Sequence, residues 1–464
     1  MTRVRRVLFG STVAMSAVAL MFVSTVPAQA CGDEVFGNPG TSSSAAHTGH
    51  TGPKAEAPAA SSAVKNVDLV ANVPDAAGAT SLRFVKYGSK DVLFVSGTFG
   101  LKSYDVDNPR KPKLLGEVKL PGFWQGEDTE VDEKRKLVFL ARDPRAFGGN
   151  TRTGESGIYT VDARHPGKLE IISYVQVPAG HTTSCVNDCR YVWTGGPAKA
   201  ENQPAEWGGR PIWVTDMSNP RKPKVFPTPI DLYRNDGKTD YAHDVQVDSM
   251  GIAWSSGRGG VRGYWTEGWH RDPVSGKFRR ATALDPVPYA GGGINELAAP
   301  SRFMHNSYRP VGWRQKDGGD HERWGRTGDL IYATEEIFLD GCAGDGVLVI
   351  ASLKGSYNGE GWRSTPDKPF RLKTIGSWSV AGQEGSDPAS GDCSAHYFDV
   401  DGKILVQSFY AQGTRFLDIS DPTNPRQIAY HRPADGRSWY PAWHKGYAFV
   451  ADNVRGVDVL KLSR

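Results

Sequence analysis

The sequence is short of nearly every feature that would assign it a partner by charge or a place in a membrane. Across 464 residues, 55 Lys and Arg stand against 51 Asp and Glu. No basic stripe argues for nucleic acid, and no acidic tail argues for a solvating or chaperone role. A membrane helix needs about 20 apolar residues, and the run from about Val13 to Val23 is too short. It follows Arg3, Arg5 and Arg6 and precedes Ala28-Gln29-Ala30, the layout of an export signal over residues 1–30. A phosphate-cradling Gly-rich loop, a nucleophile elbow, a paired-cysteine zinc motif and the alternating carboxylates of an EF-hand loop are all missing.

Cysteine is scarce as well, at five, and in an exported chain an odd number leaves one unpaired. Cys185 and Cys189 flank Val-Asn-Asp, which reads as a hairpin tip that a bridge can span. Cys342 and Cys393 form the expected second pair, tying two long loops. Cys31 is left over directly after Ala30, either as a lipid-anchor candidate or as a thiol at a frayed end. Residues 31–64 are rich in Gly, Ser, Ala, Thr and Pro and carry His47 and His50. Such a composition buries too little apolar surface to order itself and reads as a tether.

What is abundant points to strands. Gly at 54, Pro at 30, Trp at 13 and Tyr at 17 suit many short strands joined by turns, so the expected class is all-β. A block recurs: Gly100-Leu-Lys-Ser-Tyr-Asp105 with Pro109, Gly157-Ile-Tyr-Thr-Val-Asp162 with Pro166, Pro211-Ile-Trp-Val-Thr-Asp216 with Pro220, and Gly413-Thr-Arg-Phe-Leu-Asp418 with Pro422. Each copy is a strand ending at an Asp that can hold an Asx turn, then a Pro that fixes φ where the chain reverses. Seven second strands precede such positions, beginning at Val92, Leu137, Tyr191, Ile252, Leu330, Ile404 and Tyr447. Seven strands at this period give seven propeller blades over residues 65–464. The last blade has only three strands of its own, and the orphan Val67–Val73 supplies the fourth and closes the ring.

The block resembles the LVIVP repeat of bacterial exported propellers, most clearly at Phe416-Leu-Asp-Ile-Ser-Asp-Pro. More distantly, His305-Asn306 with Thr334-Glu335, and the Asp-Ile-Ser-Asp-Pro block, look like segments of the selenium-binding protein and methanethiol oxidase family.

Aligning the blades on the turn after the first strand and stepping back about five residues gives Leu82, Glu127, His181, His243, His305, His396 and Trp439. The first strand is innermost, so four successive blades offer imidazole toward one axial point. Imidazole is the commonest metal ligand and suits Fe, Cu or Zn. Glu127, Asp244, Glu335 and Glu336 are the carboxylates placed to support the rings. Carotenoid oxygenases hold iron with four axial histidines on a propeller, and methanethiol oxidases are propellers with a metal site, so the resemblance to the latter implies a metal centre. Two other readings compete: histidines that cap the neighbouring blade's backbone, and a channel site without metal.

Aromatic residues of blades 4 and 5 (Tyr264, Trp265, Trp269, Tyr289, Trp313, Trp324, Tyr357 and Trp362) read as loop surfaces or as a small secondary core. His165, His270, His321, His431 and His444 read as loop or packing residues. The expected protein is a monomeric, exported, secreted or surface-held propeller with an axial metal or small-ligand site. As an enzyme it would be a metal-dependent oxidoreductase acting on a small molecule. The competing function is a non-catalytic scaffold that binds protein or glycan through its aromatic loops.

Overall fold

The computed structural model describes residues 61–463 except 121–125, 144–155, 197–211, 231, 233–241, 258–259, 273–274, 291–302, 311–329, 337–341, 343–345, 354–371 and 391–392. The expected signal and tether, with Cys31, His47 and His50, lie outside the described residues. So do Trp313, His321, Trp324, Tyr357 and Trp362.

Seven antiparallel sheets follow one another along the chain in an all-β, seven-bladed propeller. The innermost strands of blades 1 to 7 are Ala79–Tyr87, Glu130–Asp132, Thr182–Val186, Ala242–Val247, Phe303–Tyr308, Phe398–Asp401 and Ser438–His444. The expected second strands are second in every blade. Between sheets the apolar faces of the described residues meet in seven core clusters, one for each blade-to-blade seam. The packing energy is therefore distributed around the ring rather than concentrated in one core.

The repeat behaves as its chemistry demands. Asp105 Oδ1 accepts from the Asp107 N–H at 3.0 Å, and Asp162, Asp216 and Asp418 accept likewise two residues on, at 3.1, 2.8 and 2.9 Å. All four are Asx turns that stop the third strand and start the fourth.

Ring closure also follows the sequence. Val67–Val73 pairs antiparallel with the last strand, Gly456–Leu462, as the fourth strand of blade 7. Just before it, Ala63–Lys65 pairs with the outer strand of blade 6 as a fifth strand, which the repeat did not announce. Asn66 makes the step between blades with φ at 54°, a left-handed geometry that Asn tolerates. Its side chain donates to the Ile428 carbonyl at 2.9 Å and its own carbonyl accepts from Ser463.

Both expected disulfides are present, Cys185–Cys189 and Cys342–Cys393. Two readings need correction. Tyr264 and Trp265 lie in the third strand of blade 4 and Tyr289 in its fourth, not in loops, because the insertion begins only after Trp265. That insertion is a two-stranded hairpin, Trp269–Arg271 with Phe278–Arg280. His431, read as a loop or packing residue, lies within the outer strand of blade 6.

Candidate metal centre

One backbone device repeats at the axis. In blade 4, Ala242 pairs with Gly257 and Asp244 with Ser256, so His243 is the extra residue of a β-bulge. The same step passes over His305 in blade 5, Trp439 in blade 7 and Thr80 in blade 1. In blade 6, the Ser408 carbonyl accepts from His396 while its N–H donates to Tyr397, again two residues against one. A bulge re-aims one side chain out of the pleat, and here the histidines turn to the axis. The register also corrects the alignment drawn from spacing: the position in blade 1 belongs to Thr80, not Leu82, because bulges shift the count.

His181, His243, His305 and His396 come together, and all are buried. Successive rings lie 4.7, 4.3 and 4.0 Å apart by centroid. Glu127, expected as an outer support, stands instead at the centre of the group. Its Oε2 lies 3.2 Å from His181 Nε2, 3.3 Å from His243 Nε2, 3.3 Å from His305 Nε2 and 3.8 Å from His396 Nε2. Glu336 closes one side, with carboxylate oxygens 4.0 Å from His305 Nε2 and 3.9 Å from His396 Nε2. Tyr410 donates its hydroxyl to Glu336, and Trp439 packs on His396 at 4.6 Å.

For three of the rings the other nitrogen explains the orientation. His243 Nδ1 donates to the His305 carbonyl at 2.9 Å, and His396 Nδ1 to the Trp439 carbonyl at 2.7 Å. His181 Nδ1 meets Asp143 Oδ2 at 3.0 Å. Capping a neighbouring blade and aiming at the axis are therefore done by opposite nitrogens of the same ring. Since a carbonyl only accepts, Nδ1 carries the proton in His243 and His396, and the neutral ring directs its Nε2 lone pair inward.

Electrostatics divide the rings. Burial, then the His305 charge, pushes His243 down to about 3 and holds His396 well below its ordinary value, so both are neutral. Burial also opposes charge on His181, but the Glu127 charge and the Asp143 and Glu127 hydrogen bonds carry it up to about 10. His305 is raised too, its burial outweighed by Glu336 and Glu127. Burial would raise Glu127, yet the His181 charge and the hydrogen bonds of three rings hold it well below the carboxylate range. Glu336 is pushed by burial up to about 7, and Asp244 to about 6.

The donor set fits a transition-metal ion. Glu127 with His181 and His243, Glu127 with His305 and His396, and His243 with His305 and Glu336 each bring their ligand atoms within 4.8 Å of one another. Neighbouring ligands at bonds of about 2.1 Å lie roughly 3.0–3.4 Å apart, octahedral to tetrahedral, close to the spacings around Glu127 Oε2. Glu335 is buried but is not among these grouped atoms. Asp244 borders the group through its charge on His305. Asp143 was missed, for it follows the second strand of blade 2 and nothing in the repeat marks it.

No protein-family model matches the chain, and no curated protein matches it. The LVIVP resemblance therefore rests on the repeat residues alone. Among solved structures, the chain is similar to the periplasmic gluconolactonase PpgL of Pseudomonas aeruginosa, at 14% identity and a TM-score of 0.49, over 82% of this chain and 90% of that one. It is also similar to the β-propeller domain of Cps50 (Swd1) from Myceliophteria thermophila, at 10% identity and a TM-score of 0.47, over 82% of this chain and 96% of that one. The activity in the first of these names is that protein's own.

Proposed function

We propose that the chain is an exported metal-dependent oxidoreductase, its ion held on the propeller axis by His181, His243, His305 and His396 with Glu127 beside them. One observation carries this reading. His243 and His396 have committed Nδ1–H to backbone carbonyls, so their inward lone pairs confront a carboxylate oxygen at 3.3 and 3.8 Å. Acceptors facing an acceptor in a buried site are costly, and the His181 and His305 protons that offset the Glu127 charge are ones an entering metal ion replaces. Neutral imidazoles with a carboxylate suit Fe, Cu or Zn. An ion of this kind supplies redox or Lewis-acid chemistry to a small substrate.

The chain's own part is to hold and orient. The carbonyls of His305 and Trp439 and the Asp143 carboxylate fix three rings, as outer partners of metal-bound histidines do. Glu336 and Tyr410 place a second carboxyl and a hydroxyl beside His305 and His396. Two disulfides agree with an oxidising compartment.

The test is elemental analysis of the purified mature chain beside the His243→Ala/His396→Ala double variant, after incubation with Fe(II), Cu(II) and Zn(II) in turn. About one ion per chain in the parent, lost in a variant with unchanged β-sheet circular dichroism, supports the reading. No retained ion in the parent ends it. The second reading, a binding scaffold, is favoured by the blade 4 hairpin, which exposes 69% of Trp269 and 70% of Phe278.

A further inference from the structure

The blade 4 hairpin has two faces with opposite fates. Its register sets Trp269 opposite Arg280 and Arg271 opposite Phe278, with His270 opposite Arg279 between them. Residues directly opposite, and those two apart along a strand, share a face. Trp269, Arg271, Phe278 and Arg280 therefore stand on one side, and His270 and Arg279 on the other.

The second side is fully engaged. His270 stacks on Trp265, with centroids 4.1 Å and planes 4° apart, and its Nε2 donates to the Glu267 carbonyl at 2.8 Å. Arg279 pairs with Asp272 and Asp285, each at 3.0 Å, and donates to the Pro286 carbonyl at 2.6 Å. The Ala281 N–H closes the base on the Gly268 carbonyl at 2.8 Å, and the Ala283 carbonyl accepts from Trp193 of blade 3 at 3.0 Å. A two-stranded hairpin alone is marginal in water. Anchored in this way its shape is preset, which lowers the ordering cost of binding.

The first side is open. Trp269 and Phe278 are the most exposed large apolar side chains among the described residues, and Arg271 and Arg280 beside them are exposed too. Among the described residues neither of these two arginines has an acidic partner, in contrast to Arg279. The guanidinium groups call for an anion and the rings for apolar surface. Each ring has an arginine directly across the hairpin, at a Cβ separation of about 4.5–5.5 Å. Hydrocarbon could not take either ring without drawing a guanidinium in with it, which is costly. Four side chains also cover far less than the roughly 1,200 Å² of a stable protein interface. An acidic sugar meets both demands, its C–H face on a ring and its carboxylate on the guanidinium fork. Two such ring-and-guanidinium pairs side by side suit successive sugars of one chain.

We propose that this face binds an acidic, uronate-containing oligosaccharide, with one sugar on Trp269 and Arg280 and the next on Phe278 and Arg271. The proposal narrows the scaffold reading above to one class of ligand and is independent of the axial centre.

The test is calorimetric titration of the mature chain with tetragalacturonate and tetramannuronate, with their fully methyl-esterified forms as uncharged counterparts. Saturable binding of at least one acid, with its ester at least tenfold weaker, is expected. The Trp269→Ala/Phe278→Ala and Arg271→Gln/Arg280→Gln variants, altered only at exposed positions, should each lose tenfold or more while keeping the parent's thermal transition. Unchanged affinity in either variant overturns the proposal. An ester that binds as tightly as its acid overturns the charge recognition and keeps a scaffold for neutral glycan. No saturable binding of acid or ester overturns the glycan proposal and leaves the scaffold reading only a protein partner. Co-sedimentation with phosphatidylglycerol vesicles that Trp269→Ala/Phe278→Ala abolishes, in a chain that ignores both acids, would assign the face to a membrane instead.

Discussion

The Nδ1 of His243 donates to the backbone carbonyl of His305, so the ring that one blade aims at the axis is held by the next blade's own axial residue. The two nitrogens can be separated by substitution. An Asn amide nitrogen takes the place of Nδ1, whereas Ala supplies neither nitrogen. His243→Asn should therefore lose metal yet keep the metal-free chain within about 1 kcal/mol of the parent. His243→Ala should cost about 2–4 kcal/mol, from the cavity and the deserted buried carbonyl together. Urea denaturation of the metal-free proteins checks this. Equal losses in the two variants would deny the Nδ1 hydrogen bond its structural part.

The N-terminal segment offers a second division, because its two strands do different work. Ala63–Lys65 only lengthens blade 6 at its outer edge. Val67–Val73 completes blade 7, with Val67 and Val73 buried in two different seams. Removal through Lys65 should cost about 1–2 kcal/mol. Removal through Val73 opens the ring and strips an edge of Gly456–Leu462, so the cooperative transition should disappear. A truncation through Val73 that still unfolds in one sharp step would mean that the ring does not need its closing strand.

How much of this was legible follows from what each signal depends on. The Asp-to-Pro blocks specify turns locally, so the third strands and their Asx turns could be read directly at Asp105, Asp162, Asp216 and Asp418. Blade count and ring closure followed from period and from the orphan Val67–Val73. The level of the four histidines was visible because neighbouring blades repeat it. The central place of Glu127 was not, since the side chain at that position in blade 2 differs in kind from its neighbours. Thr80 was hidden by a bulge, which changes the count of residues without any marker residue. Asp143 meets His181 across 38 positions of sequence, a contact that only tertiary structure creates.

At the join of blades 7 and 1, Asp91 is buried between Lys86 at 2.5 Å, Lys445, and His444 at 3.6 Å. Burial would raise its carboxyl, but the hydrogen bonds from Lys445 and Lys86 and the His444 charge hold it below the ordinary 3.8. A depressed carboxyl stabilises the fold above the unfolded value, and that contribution is lost as pH falls through 3.8 toward the folded value. Both lysines are half-exposed, so screening limits the effect to about 1 kcal/mol. Asp91→Asn should lower stability by that amount at pH 7, progressively less below pH 4, and less in high salt. A deficit that stays constant down to pH 3 would place the cause in packing rather than charge.

Glu127 provides the sharpest test of how the axial group works, because its Oε2 faces all four Nε2 atoms at 3.2–3.8 Å. Glu127→Gln keeps the shape and removes the negative charge that offsets the ion's own. Loss of a supporting carboxylate typically weakens metal affinity by about 10–100-fold. Competition with a coloured chelator should show a loss in this range for whichever ion the parent retains, while the imidazole donors still give binding. Affinity equal to the parent's would mean that the carboxylate swings away when the ion enters. Complete loss would make Glu127 a ligand as indispensable as the histidines, joining the Thr182–Val186 blade and its neighbours through one oxygen.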